Sequence, residues 1–496
     1  LFAVIIIDLI GFGIVVPILP YCAKSLDTSP ATLGFLLAAY PAFQFIFSPI
    51  WGRLSDRVGR KPVMLATILL ALVSTTLVAE QPSQILITNV DVYDGKSEKL
   101  SPGTEVLVEG NLIKQVAKGI DTPAGATVID GQGFTLVPGL IDSHTHLQGV
   151  VGLSALEFIP GQEISARMVP FAEDMLMRGF TTVRDLCGNT HGLRRAINAG
   201  YVKGPRIVSA GACIGGWSSH SDFAPETAVK GQTHAERIGL SVYADGPDEV
   251  RAAIRREMRK GASFIKLMVG GGLSSTYDPL DVTTMSRVEI EAAVDEASRW
   301  GTYVTAHAYT DESLNLGMDA GMRTFEHMHL ASRETFERMK ELDMTVGTQI
   351  AIFDGIGSHP AFSTPLQKEK AMWMEENATA AWDSMRDVGL SVGFGVDGFA
   401  GWPGFRLSSA AIGMRKKIFS DAQILAQVYA NNVKLLEMSG ERLPYRDGPL
   451  GEISAGAYAD LLIVQGNPLR DVSVLGDFEN KLKLVMKDGV AYKNEL

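Results

Sequence analysis

The stretch Leu136-Val-Pro-Gly-Leu-Ile-Asp-Ser-His-Thr-His-Leu147 constrains the fold most. Its apolar run, Val137 to Ile141, reads as one buried parallel strand that ends in His144 and His146. Residues i and i+2 of a strand point to the same side, so two imidazoles at this spacing can meet one metal ion. A strand terminus that delivers ligands is where a (β/α)8 barrel carries its chemistry. The plainer reading, two polar residues leaving a strand for a loop, suits a lone histidine better than this pair.

Further strand signals alternate with amphipathic segments such as Pro247–Lys260 and 287–300. They fall at 181–185, 206–210, 264–269, 303–308, 323–327, 345–350 and 391–396. Eight strands with intervening helices predict an α/β chain built on a (β/α)8 TIM-like barrel. Short strands flank it: Gln84–Tyr93, a hairpin about Gly110-Asn111, and 127–130 before; Ala459–Val464 and 482–486, with a Lys487-Asp-Gly489 turn, after. Both ends are expected to form one split β-sandwich, giving 80–137 and 446–496 to the sandwich and 138–445 to the barrel.

Four later strands also end in candidate ligands. Lys266 sits inside Phe264-Ile-Lys-Leu-Met268, where an unpaired ammonium would be costly. His307, Glu326-His327 and Asp397 close three more. Each is ordinary alone; together they follow barrel order. His220, in Gly215-Gly-Trp-Ser-Ser-His-Ser-Asp222 after the third strand, falls on the same face as a candidate substrate contact. His191, His234 and His359 read as structural, and His329 shares a face with His327 only if that strand continues. Gly270-Gly-Gly272 lacks the frame of a phosphate loop and reads as a flexible βα loop. Cys22, Cys187 and Cys213 are widely spaced, which supports neither a disulfide framework nor a cysteine zinc site.

The first 79 residues differ from the rest. Three long apolar runs, 1–20, 32–51 and 63–79, predict transmembrane-like helices. Lys24, Arg53, Arg57, Arg60 and Lys61 against Asp8, Asp27 and Asp56 give this part +2, which leaves −13 of the net −11 to the remainder. A chain this acidic is not a general nucleic-acid binder.

Gly52-Arg-Leu-Ser-Asp-Arg-Val-Gly-Arg-Lys61 resembles the loop between the second and third helices of major facilitator transporters, and Asp8, Pro17 and Pro20 resemble the first helix of drug-efflux members. The likeness covers about 75 residues, too few to transport alone. Arg60-Lys61 followed by an apolar stretch from Met64 to Ala79 also resembles a secretory signal peptide, with Met64 as a start. Both readings place the following residues outside the cytoplasm, at the membrane or in the periplasm, since the basic loop stays inside. If 1–79 is a misjoined fragment, the catalytic part is cytoplasmic.

From Gln84 onward the ligand set resembles the amidohydrolase superfamily, in its two-metal branch with a carboxylated lysine. The resemblance implies His144, His146 and Asp397 on one divalent ion and His307 and His327 on the other. Lys266, as its CO2 adduct, bridges them. Asp397 is implied as general base, and zinc is the first candidate, with manganese and cobalt compatible. Val242-Tyr-Ala-Asp-Gly246, Asp248-Glu-Val-Arg251 and Ile265–Met268 resemble the prolidase-like dipeptidases, which cleave Xaa-Pro dipeptides or N-acyl amino acids. In that group Tyr243 matches the position that holds the substrate's free carboxylate; packing is its plainer reading. The loop from Asp397 to Phe405, with Trp402 and Pro403, is expected to line the pocket. The expected protein is thus a metal-dependent amidohydrolase and a homo-oligomer. An imidazolonepropionase-like ring hydrolase or deaminase is the alternative, and a truncated transporter with a passenger domain is the alternative of another class.

Overall fold

The computed structural model describes residues 83–151, 158–351, 356–358, 362, 364–398 and 404–496, and nearer the N-terminus residues 53, 56–59 and 61–62. The expected transmembrane-like runs, Cys22, His359, Trp402 and Pro403 lie outside the described residues. Two compact units divide the chain, Leu1–Gln81 and Pro82–Leu496. Among the described residues no helix is long and apolar enough to cross a membrane.

In the second unit, both ends build a single sheet. Its strands run Val490–Asn494, Leu482–Lys487, Leu461–Val464, Thr135–Pro138, Gln84–Val92, Ser101–Glu109 and Leu112–Ala117, with Thr127–Asp130 also paired to Gln84–Val92. The expected two-layer sandwich is therefore one continuous mixed sheet. It curls, because Leu112 on one edge bridges to Tyr458, just before the strand Leu461–Val464. Alternate residues such as Ile87, Val106, Val108, Leu461, Ile463 and Leu484 then share one core, and a second sheet is not needed to bury them.

The run Val137–Ile141 is two strands, not one. Thr135–Pro138 pairs antiparallel with Leu461–Val464, while Leu140–Thr145 runs parallel to Phe180–Asp185 in the barrel. Gly139 is the joint: a Cβ there would lie 2.0 Å from Thr181 Oγ1. One apolar run thus serves two layers, and the sheet is anchored one residue from the barrel strand that carries His144 and His146.

The barrel strands follow as Leu140–Thr145, Phe180–Asp185, Arg206–Ser209, Ile265–Met268, Val304–Thr310, Thr324–Leu330, Thr345–Thr348 and Ser391–Phe394. Two backbone bonds link the sheets into a ring, Ser263 N–H to Ser209 O (2.8 Å) and Asp397 N–H to His144 O (2.9 Å). An additional parallel pair, Cys213–Gly215 with Ser241–Tyr243, attaches beside Ile265–Met268. The helices have local causes. Pro247–Lys260 starts with Pro at its first turn, has Asp248 and Glu249 there and Arg259 and Lys260 in its last turn, and stops at Gly261 in the left-handed region. Arg287–Arg299 and Pro365–Val388 both begin with capping boxes, Ser286 with Glu289 and Thr364 with Gln367, a device contributing about 1 kcal/mol each.

Candidate active site

Ligand-type side chains converge at the C-terminal ends of the barrel strands. Asp397 Oδ1 lies 2.9 Å from His146 Nε2 and 3.4 Å from His144 Nε2, and its Oδ2 lies 3.8 Å from His327 Nδ1. His144, His327 and Asp397 place ligand atoms within 4.8 Å of one another. The His307 ring centroid is 4.4 Å from that of His327. Lys266 is 1% exposed, and its Nζ has no hydrogen-bond partner among the described residues. All six residues line one cavity, together with His220, Ser221, Phe223, Leu240, Met268 and Tyr309.

Backbone conformation contributes to the convergence. His327, Met328 and Asp397 have φ of 80°, 60° and 59°. The left-handed region is uncommon for residues other than glycine, and such strain concentrates at functional sites. Pairing between Val304–Thr310 and Thr324–Leu330 shifts register past Ala308, opposite His327, so the strand bulges where it presents the imidazole.

Charge is arranged in a sequence from the barrel interior outward. Glu326 is fully buried and accepts from Arg184 Nη1 (2.7 Å) and Thr305 Oγ1 (2.9 Å). His144 Nδ1 lies 2.8 Å from Glu326 Oε2. The carboxylate orients that ring with Nδ1–H toward itself and leaves Nε2 facing Asp397, the outer-sphere arrangement typical of metal-ligating histidines. Burial would raise the Asp397 carboxyl, but His144 and His146 outweigh it and hold the group well below the usual carboxylate range. Burial pulls the Lys266 amine down to about 8, against the opposing effect of Glu326 and Asp397.

These donors fit divalent metal. Four imidazoles and the Asp397 carboxylate surround a buried amine with no hydrogen-bond partner among the described residues, and oxygen and imidazole donors suit zinc, manganese or cobalt. A neutral fraction of the Lys266 amine can add CO2, which would turn an uncompensated cation into an oxygen-donor anion.

The other expected contacts fall differently. His220 is at the cavity: its ring stacks on His307 at 4.0 Å, and its Nδ1 lies 2.8 Å from Ser275 Oγ. Tyr243 is not among the cavity-lining residues. Its strand belongs to the additional pair, and its hydroxyl donates to Ser221 O at 3.2 Å while Trp217 packs edge-on at 5.0 Å. In this arrangement the hydroxyl faces Ser221 and not the cavity. His329 bonds to Gln349 O at 2.7 Å, and His191 and His234 lie away from the cavity. Cys187 and Cys213 form a disulfide on the cavity wall, a pairing that their spacing in the sequence does not support. Their loops follow neighbouring strand ends, an adjacency that spacing does not reveal. Arg184 is not marked by the sequence, because its strand Phe180-Thr-Thr-Val-Arg-Asp185 is largely polar and not apolar like that of Lys266.

Strand ends that hold imidazoles, a carboxylate and a buried amine around one cavity make this a metal-dependent hydrolase acting on C–N bonds. The chain belongs to the Amidohydrolase family, whose model matches residues 135–491. A solved prolidase structure complexed with N-methylphosphonate-L-proline is 30% identical, with a TM-score of 0.77, covering 83% of this chain and 100% of that one. A solved Xaa-Pro dipeptidase with methionine bound in its active site is 26% identical, with a TM-score of 0.73, over 83% of this chain and 100% of its own. Ochratoxinase of Aspergillus niger is 27% identical over 377 residues, 72% of this chain and 75% of that protein. Residues 1–89 match the Major Facilitator Superfamily model.

Proposed function

We propose that this protein hydrolyses the amide bond of dipeptides, Xaa-Pro or related, or of N-acyl amino acids. The observation that carries the reading is the partnerless Lys266 amine among His144, His146, His307, His327 and Asp397. The prolidase and dipeptidase likenesses support the substrate class. His144, His146 and Asp397 would hold one divalent ion and His307 and His327 a second, with carboxylated Lys266 between them. Bound metal would supply Lewis acidity and lower the pKa of attacking water toward about 7.

Asp397 does the proton work. Its carboxylate takes a proton from water as the new C–O bond forms, and returns it to the leaving nitrogen as the C–N bond breaks. Glu326 fixes the tautomer of His144, and Arg184 keeps Glu326 charged. Phe223, Leu240, Met268 and the Cys187–Cys213 disulfide give the cavity an apolar wall that favours apolar substrate side chains. Tyr243 can reach a substrate carboxylate only by releasing Ser221.

The test is a library of dipeptides and N-acyl amino acids, assayed beside metal content per chain. Cleavage of free acids with two metals bound is expected. Cleavage confined to cyclic amides or to ring amino groups would replace this reading with the ring-hydrolase or deaminase alternative. The disulfide also supports an oxidising, extracytoplasmic location. Of the three cysteines in the chain, the unreduced full-length protein should then titrate only one.

A further inference from the structure

The helix Pro365–Val388 carries a lysine that the catalytic scheme does not use. Lys370 is 3% exposed, and its ammonium donates to three backbone carbonyls: Gly272 O (2.8 Å), Ser275 O (3.0 Å) and Asp278 O (2.6 Å). All three N–H groups are satisfied, and Asp278 Oδ1 stands 3.9 Å away as a counter-charge. One turn earlier, Gln367 Nε2 donates to Ser274 O at 3.1 Å. A buried cation is costly unless fully bonded, so this is a specific clamp from one helix onto one loop.

The clamped loop, residues 270–278, leaves the strand that carries Lys266 and reaches the site at several points. Leu273 and Ser274 line the cavity. Gly271 O lies 3.1 Å from His307 Nε2. Ser275 Oγ holds His220 Nδ1, and Gly272 packs so closely on that ring that a Cβ would lie 1.5 Å from Nδ1. Asp278 closes the loop on itself, its Oδ2 accepting from Gly272 N–H at 2.7 Å.

We propose that Lys370 is a positioning residue: it fixes the 270–278 loop and thereby sets where His220, Leu273 and Ser274 meet the substrate. The loop supplies no side chain of the expected metal set and meets it through Gly271 O on His307 and the His220 ring, so the clamp acts chiefly on substrate fit. The substrate part of the inference rests on the amide-hydrolase reading; the holding of the loop does not.

Lys370→Met and Lys370→Arg in the full chain test it, with Lys370→Met, His220→Ala and their double mutant as a cycle. In Lys370→Met we expect faster hydrogen exchange across 270–278, unchanged metal content, and kcat near wild type. KM should rise about tenfold or more, the effect of losing one well-placed contact. Lys370→Arg keeps the charge but cannot converge on three carbonyls, and should fall between. The Lys370→Met and His220→Ala effects on KM should combine to less than their sum, since they share the His220 contact. Unchanged exchange and KM, or full additivity, would overturn the proposal, as would a loss confined to metal content. If Lys370→Met does not fold, Gln367→Ala loosens the same loop, and native exchange with native KM there overturns it equally. If no library amide is cleaved, the amide-hydrolase reading fails, while exchange in the same proteins still decides whether Lys370 holds the loop.

Discussion

An amine at 1% exposure with no hydrogen-bond partner is tolerable only when its charge is removed. At Lys266 the facing groups are imidazoles and the Glu326 and Asp397 carboxylates; carboxylation together with metal binding would remove the difficulty. Lys266→Ala is expected to lose most activity, and a short carboxylic acid supplied with metal should restore part of it by occupying the bridging position. A fully active Lys266→Ala protein with two metals bound would sink this account. Asp397→Asn keeps the shape and removes the base. It should lower kcat far more than it raises KM, because the proton is transferred only in the transition state. Metal content must be measured beside the rates, and equal kcat at equal occupancy would remove Asp397 from the mechanism. Both residues were legible because a charged group ending an apolar strand is costly without a task. Arg184 lacks that signal, since its strand Phe180–Asp185 is largely polar; its task is to pair with Glu326 below the site. Glu326 was hidden beside His327: its role depends on His144, 182 residues away in the chain and 2.8 Å away in space.

Among elements, the eight barrel strands were readable because parallel strands buried on both faces are short apolar runs bounded by turn residues. The joint at Pro138-Gly139 was not, because the run continues unbroken across two layers. The pair Cys213–Gly215 and Ser241–Tyr243 is only three residues long on each side, below any periodicity signal, and its position moves Tyr243 off the cavity wall. Tyr243→Phe therefore separates two roles. If the hydroxyl swings from Ser221 to a substrate carboxylate, its loss should cost about 1.5–3 kcal/mol. That is roughly ten- to a hundredfold in kcat/KM. The mutant should also lose most of the wild-type preference for a dipeptide over its C-terminal amide. If the hydroxyl only braces the Ser221 loop, acid and amide will suffer alike. A wild type that cleaves both equally well would move the ring-hydrolase alternative ahead.

For the molecule as a whole, the sheet is tied to the barrel through Arg206. It donates to Asp460 Oδ2 (2.8 Å) and Oδ1 (3.1 Å), pairs with Asp488, and lies over the Tyr458 ring. Burial would raise the Asp488 carboxyl, but Arg206 and Lys487 outweigh it and hold it below its ordinary value. Its contribution is therefore present above the unfolded value near 3.9 and is lost as pH falls from there through its lower folded value. Arg206→Gln should flatten the loss of thermal stability between about pH 5 and 3, measured by Tm across that range. A mutant with the wild-type pH slope would remove Asp488 from the linkage.

The same self-contained unit bears on the first 79 residues. Pro82–Leu496 is compact by itself, and both halves of its sheet, all eight barrel strands and every expected ligand lie within it. Among the described residues, nothing the cavity needs comes from before Ser83. A chain of residues 80–496 should therefore fold, bind two metals and match the kcat/KM of the full protein in detergent to within about threefold, a difference of under about 1 kcal/mol. The transporter-like part would then govern location and not chemistry. A soluble 80–496 chain with full metal content and no activity would show that the first unit reaches the reaction after all.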